Sequence, residues 1–251
     1  GLNKPLPQQY VSYVTGLVKG DLGTSLRTKR PVLTEVQGRY MNTVQLTLLS
    51  LTWSVIAGVL IGVWSGRNRS KWQDYTGMTV AVSGISMPSF WIGFMLIMVF
   101  AVKYRLLPTT GAGSFKNLIL PSITLGVSIA AIIARFTRSS VIEVLKEDYV
   151  RTARAKGLRE KTVIWKHVFR NCMISVVTVV GLQFGFLLGG SVVTETVFAF
   201  PGLGSLLIES VNYRDYPAIQ SLILIFSLHF VLINLVVDVL YAVLNPEIQL
   251  S

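Results

Sequence analysis

Cysteine is all but missing from this 251-residue chain: Cys172 stands alone, which excludes a disulfide framework and any cysteine-based metal or redox motif. Histidine is nearly as scarce, and His167 and His229 are too far apart to share ligand spacing. No Gly-rich phosphate loop of the G-x-x-x-x-G-K-S/T type occurs, so the chain lacks that device for holding ATP. Acidic residues number 12 against 23 Lys and Arg, and the four charged types together make only 14% of the chain. A membrane enzyme needs acid, base or metal ligands gathered at membrane depth, whereas Glu195, His229 and Asp238 are scattered.

What is present in quantity is hydrocarbon. Apolar residues make 51% of the chain, and the charges fall in clumps that leave uncharged runs at 40–66, 75–102, 117–134, 171–194 and 216–237. A helix rising about 1.5 Å per residue needs roughly 20 apolar residues to cross the hydrocarbon core, so each run approaches or exceeds a span. The third, at 18 residues, is the shortest. Residues 41–64 and 91–102 show no amphipathic gaps, which argues against a soluble helical bundle.

The expected fold is therefore an all-α membrane protein with five transmembrane helices, its two ends on opposite sides. Loop Lys and Arg orient such proteins, but here they divide 13 on the side of 135–170 and 10 on the other. Basic loops beside anionic headgroups account for the net charge of +11 without a nucleic-acid partner. The chain opens Gly1-Leu-Asn-Lys-Pro-Leu-Pro7, with no signal-peptide pattern, so further chain is expected upstream.

Residues 1–39 read as an extramembrane segment with a short amphipathic helix at 8–18. Pro88, amid Gly84, Ser86 and Ser89, either kinks the second span or opens a polar path. Residues 104–121 form a connector without chemistry, its Pro121 suited to the first turn of the third span. At 198–207 two aromatics precede a Pro-Gly turn. That suits a short helix dipping back against the bundle or, more simply, an interfacial loop with aromatic anchors. Glu195 and Asp238 lie at span ends and are expected to reach the interface. His229 reads as a packing residue, and Asn234 with Asp238 as a pair that caps or joins helices.

The most informative segment is 147–171, basic and wedged between two membrane-length runs. Val141, Val144, Leu145, Tyr149 and Ala153 recur at helical spacing, Gly157 supplies a stop, and a second helix is expected over 159–169. Ala153, Ala155 and Gly157 are small, allowing a partner's surface close to the backbone. The segment is a passive juxtamembrane loop, a docking element for a soluble protein or, a distant third, a helix-turn-helix reader of DNA, and the order helix, glycine, helix favours docking over a passive loop.

These residues resemble the membrane subunits of ATP-binding-cassette importers, specifically the peptide, dipeptide and nickel permease group. The resemblance rests on Tyr149-Val-Arg-Thr-Ala-Arg-Ala-Lys-Gly-Leu158 and His167-Val-Phe-Arg-Asn171. Gly20-Asp-Leu-Gly-Thr-Ser25, Thr43-Val-Gln-Leu-Thr47, Phe198-Ala-Phe-Pro-Gly-Leu-Gly204, Arg214-Asp-Tyr-Pro-Ala-Ile-Gln220 and Asn245-Pro246 extend it over essentially the whole chain. Arg151, where an acid usually opens the loop motif, and Ser175, where Pro is common, depart from it. Residues 81–86, 135–138, 181–191 and 234–241 look most like the glutathione-importing branch.

The resemblance implies a type I importer transmembrane domain over 40–251, a sixth span upstream of residue 1, and 1–39 on the periplasmic or outer face. It implies a cytoplasmic coupling loop at 138–171, with Arg151, Thr152, Ala153, Arg154, Ala155, Lys156, Gly157 and Leu158 docking onto an ATPase. The implied partners are a second homologous permease, two ATP-binding subunits that hold ATP and Mg, a periplasmic or lipid-anchored binding protein, and membrane lipid. No cofactor is expected in this chain. The implied setting is a bacterial inner membrane and the implied cargo glutathione or a small peptide, with a nickel or other metal chelate, or an ATP-independent channel, as alternatives. A translocation path is expected to be lined by Ser86, Ser89, Gln183 and Ser191, each of which also reads as an interhelical hydrogen bond.

Overall fold

The computed structural model describes residues 5–244, apart from the side chains at 174, 175, 188, 190 and 240–244. The readings of Ser175 and of Asn245-Pro246 fall outside them. The described residues form helices joined by short loops, with one isolated antiparallel bridge between Thr24 and Pro31.

Helix α1 (Leu6–Val18) is the amphipathic segment before the first span. α2 (Val32–Arg67) is 36 residues long, so it begins within the segment assigned outside the membrane and continues unbroken through it. Its buried face is small: Ser50, Ser54, Gly58, Gly62 and Gly66 recur every four residues. They lie against α5 (Phe115–Val144). A methyl on Gly58 would come within 2.7 Å of the Ala130 carbonyl oxygen, and one on Gly62 within 2.5 Å of Thr137 Cβ. In lipid, where burial gives helices little reason to associate, close backbone approach and interhelical hydrogen bonds take over. Here Ser54 Oγ donates to the Gly126 carbonyl at 2.8 Å and Trp53 Nε1 to the Ser122 carbonyl at 3.0 Å.

α5 is longer than its 18-residue apolar run, because it carries Arg135 and Arg138 within its last turns. Arg138 is bound to Asp74 on the neighbouring helix, with Nη2 to Oδ2 at 2.7 Å. Pro121 lies inside this helix rather than in its first turn, since the helix already starts at Phe115.

The second apolar run is not a straight span. α3 (Trp72–Ser86) and α4 (Ser89–Leu96, continued by a wide π-helical turn over Ile97–Lys103) meet at 102°. The break is at Met87 and Pro88, both extended: Pro has no N–H to donate and its ring drives the preceding residue out of the helical region.

α6 (Asp148–Ala155) is separate from α5, so the repeat over 141–153 does not form one helix: 145–147 break it. A short α7 (Glu160–Thr162) continues as a π-helical stretch, Val163–Phe169, into α8 (Arg170–Val197). α9 (Leu203–Asn212) and α10 (Tyr216–Leu244) complete the chain. Among the described residues three helices, α2, α5 and α10, are unbroken and long and apolar enough to cross a membrane, and counting each of two bent pairs, α3 with α4 and Glu160–Met173 with Val176–Leu187, as one span makes five.

The main core gathers Leu46, Leu120, Ile129 and Ile133 around Phe198 and Phe200. Those two aromatics are 2% and 1% exposed, so 198–207 is not an interfacial loop with aromatic anchors. The turn folds α9 back against α8, and the rings become core.

Candidate functional site: a braced helix and a carboxylate cap

At one end of the bundle α6 stands on a small core of its own. Val150 and Ala153 pack with Val141, Val163, Ile164, Val168 and Cys172. Ala153 is 5% exposed, so its smallness serves this packing and not the approach of a partner. The opposite face is open: Arg151, Thr152, Arg154, Ala155, Lys156, Gly157 and Leu158 are all exposed. Arg154 is held by Glu160 across the turn, Nη2 to Oε1 at 2.9 Å, and that bond keeps its guanidinium above its ordinary pKa despite partial desolvation. Arg151 pairs with Asp148 at 3.3 Å. Tyr149 accepts a hydrogen bond from Asn171 Nδ2 at 3.0 Å.

Gly157 ends the helix with φ +75°, the left-handed conformation that glycine adopts without penalty. A Cβ there would meet nothing within 4 Å, so conformation and not space requires glycine. The result is a braced, mostly basic surface projected from the bundle.

At the other end a carboxylate organises the turn after α8. Glu195 is fully buried, contrary to the expectation that it reaches the interface. It accepts hydrogen bonds from Thr43 Oγ1 at 2.7 Å and from the Ser205 backbone N–H at 3.0 Å, with Ser191 and the Gly204 N–H as further partners. A buried carboxylate needs such partners, and the first-turn amides of α9 supply the favourable end of a helix dipole. Methyl groups on Gly202 or Gly204 would run into it, at 2.3 and 3.0 Å.

Around this, the 20–31 loop is tied to the start of α10. Asp215 accepts from Ser25 Oγ and from the backbone N–H groups of Leu26 at 3.0 Å and Arg27 at 3.4 Å. Burial pushes the Asp215 carboxyl upward, but these hydrogen bonds outweigh it and hold the pKa below the usual carboxylate value. Glu209 is likewise lowered on balance, with desolvation opposed by Arg39 and Arg27 at 3.1 and 3.2 Å.

The residues expected to line a path are dispersed. Ser86 is exposed at the α3–α4 bend and hydrogen-bonds the Val82 carbonyl at 2.9 Å. Ser89 and Gln183 are half-buried, and Ser191 is fully buried beside Glu195. His229 packs as expected, with Nδ1 2.8 Å from the Ile225 carbonyl and Nε2 against Tyr40 Oη. Asn234 is half-buried near Gly185, and Asp238 is exposed. No cluster of three or more metal-ligating residues occurs among the described residues.

A bent-span helical bundle with a braced helix projecting from one end is the architecture of an importer's membrane domain. Residues 58–250 match the family model described as binding-protein-dependent transport system inner membrane component, and the chain belongs to that family. It is 55% identical over 249 residues to the glutathione transport system permease protein GsiC of Pectobacterium atrosepticum, covering 99% of this chain and 81% of that protein. The GsiC of Escherichia coli K12 matches at 55% over the same shares. Among solved structures, the inward-facing methionine ABC transporter MetNI matches with TM-score 0.72 at 18% identity, over 84% of this chain and 96% of that one. An amino acid ABC transporter solved with histidines matches with TM-score 0.67 at 16% identity, over 83% and 93%. These show the type I importer fold. The chain is thus a multi-pass inner-membrane permease subunit of an ABC importer, working with a substrate-binding component and ATP-hydrolysing subunits.

Proposed function

We propose that this permease imports glutathione. The observation that carries the reading is the 55–56% identity to glutathione permeases sustained over 99% of the chain. Its cargo enters from a binding protein seated at the end where α1, the 20–31 loop and α9 lie, which faces the periplasm. Residues 138–171 face the cytoplasm, and the exposed side of α6, Arg151 to Leu158, docks on an ATPase.

A second homologous permease completes the path, and two ATPase subunits hold ATP and Mg. Their closure draws the docking helices together and alternates access to the path. The bracing of α6 by Val150, Ala153 and the Arg154–Glu160 pair supports this, since a coupling element must transmit displacement without bending. Ser86, Ser89 and Gln183 are proposed to face the path. Ser191 is kept in the set as a residue acting through Glu195.

The test is uptake of labelled glutathione into proteoliposomes carrying the full complex, with ATP inside, binding protein outside and unlabelled dipeptides as competitors. Saturable ATP-dependent uptake that dipeptides do not compete away is expected. ATPase stimulation by a dipeptide or a nickel complex, without glutathione uptake, would retain the importer and replace the cargo.

A further inference from the structure

One arc of α3 carries hydroxyls where a lipid-facing helix carries hydrocarbon. Its buried face is Asp74, Gly77, Ala81 and Gly84. At 100° per residue, Trp72, Tyr75, Thr76, Thr79, Ser83 and Ser86 share the opposite arc, and all are exposed. Beyond Trp72, every member of that arc carries a hydroxyl, and the exposed Val80, Val82 and Ile85 flank it. α10 is the contrast, where the exposed Leu228, Phe230, Val231, Leu232, Leu235 and Val236 are all hydrocarbon.

The stripe is long as well as polar. Trp72 lies edge-on to Trp64 at 5.9 Å, both exposed, which marks the level of the membrane–water interface. From Tyr75 to Ser86 the helix climbs roughly 16 Å, ending at the bend. A lipid headgroup reaches the lower end of such a stripe but not its upper half, which lies at hydrocarbon depth. Thr76 and Ser86 return their hydroxyls to the Gln73 and Val82 carbonyls of their own helix at 3.2 and 2.9 Å, whereas those of Thr79 and Ser83 have no protein partner among the described residues, so that part of the face borders water.

Beside the stripe, α3 and α5 enclose a groove of about 550 Å³ in which Tyr75, Thr79, Ser83, Asp74, Arg135 and Arg138 form the polar lining and Met78 and Val82 the apolar part. The groove's one carboxylate, Asp74, is already engaged by Arg138. Arg135 is exposed and makes no ion pair among the described residues, leaving one net positive charge on the wall. A cation at this depth is costly without a partner or water.

We infer that this face of α3 with Arg135 is the cytoplasmic half of the translocation path, and that Arg135 engages a carboxylate of an anionic peptide cargo on its way out. The inference rests on the importer reading and adds to it the charge of the cargo. Glutathione, with two carboxylates and one ammonium at neutral pH, fits that site.

Two measurements on the assembled complex test it. Thr79→Cys and Ser83→Cys are treated with a charged, membrane-impermeant maleimide in lipid nanodiscs, with Leu228→Cys as the lipid-facing comparison and the buried Cys172 as internal blank. Labelling at 79 and 83 but not 228 is expected. Equal inertness at all three overturns the water-lined face and assigns it to lipid.

In proteoliposomes, Arg135→Gln is expected to lower glutathione uptake per ATP hydrolysed about tenfold, the scale of one lost charge-assisted hydrogen bond, while Arg135→Lys retains most of it. Stimulation of ATPase by loaded binding protein should persist in both. An unchanged uptake ratio in Arg135→Gln overturns the role of Arg135. Absence of glutathione uptake by the wild type instead overturns the cargo, and the labelling result still decides the wall.

Discussion

At the scale of single residues, Glu195 and Gly157 show two ways in which one position governs its surroundings. Glu195 gathers donors from α2, α8 and α9, so Glu195→Ala leaves Thr43 and the α9 amides without their acceptor. Each unmet buried donor costs on the order of 1–3 kcal/mol, and the thermal midpoint of the purified complex should fall by several degrees. Glu195→Gln keeps the shape but puts an amide N–H₂ in place of one accepting oxygen, and should fall less. Gly157 acts through backbone conformation alone. Gly157→Ala is expected to cost about 1 kcal/mol in the left-handed region, and Gly157→Pro cannot adopt φ +75° at all. The first should weaken, and the second abolish, stimulation of ATPase by loaded binding protein, with the membrane yield of the subunit unchanged. Normal stimulation in the proline variant would remove α6 as the coupling element. The stop at Gly157 was legible because a glycine after a helical repeat has a local meaning. The burial of Glu195 was not, because its partner Thr43 lies 152 residues away and nothing in an uncharged run announces it.

At the scale of elements, hydropathy located the spans but not their shapes. α2 and α10 contain their apolar runs unbroken, though each outruns its run mainly at one end, whereas α3 and α4 turn by 102° within one. Pro88 signalled a break. Its angle is set by what α4 packs on, including α5 and α8, which no local pattern records. The α2–α5 contact was written in the sequence as glycines at 58, 62 and 66, but a window average reads glycine as nearly neutral and hides the spacing. Gly62→Leu should prevent that pairing, since even a methyl would sit 2.5 Å from Thr137 Cβ. Loss of the folded subunit from membranes, with Leu60→Ala on the exposed face tolerated, is the expected pattern. The aromatics at 198 and 200 were misplaced for a related reason: Phe beside Pro-Gly suits an interface as well as a core, and only the return of α9 decides.

At the scale of the whole molecule, the cap at the end away from α6 is a set of carboxylate latches. Asp215 and Glu209 both have depressed pKa values in the folded protein. A group lowered in this way contributes stability above its unfolded pKa, near 4, and loses it as the pH falls through the lower folded value. Proteolysis of the 20–31 loop in the intact complex should therefore be flat from pH 7 to about 5 and rise only below about 4. Accelerated cleavage already near pH 6 would show that these latches do not hold the loop. Between this cap and α6, α2 and α5 pack closely, the glycines at 58, 62 and 66 seating the α5 side chains of Ile133, Thr137 and Val141. Such a pair behaves as a beam. If α6 takes the push of an ATPase as proposed, α5 beside it would carry that push some 45 Å along its length with little lost to internal give. Compliance is left to the two bent spans among the described residues, so in the proposed machine the stroke depends on where its glycines are as much as on where its motor binds.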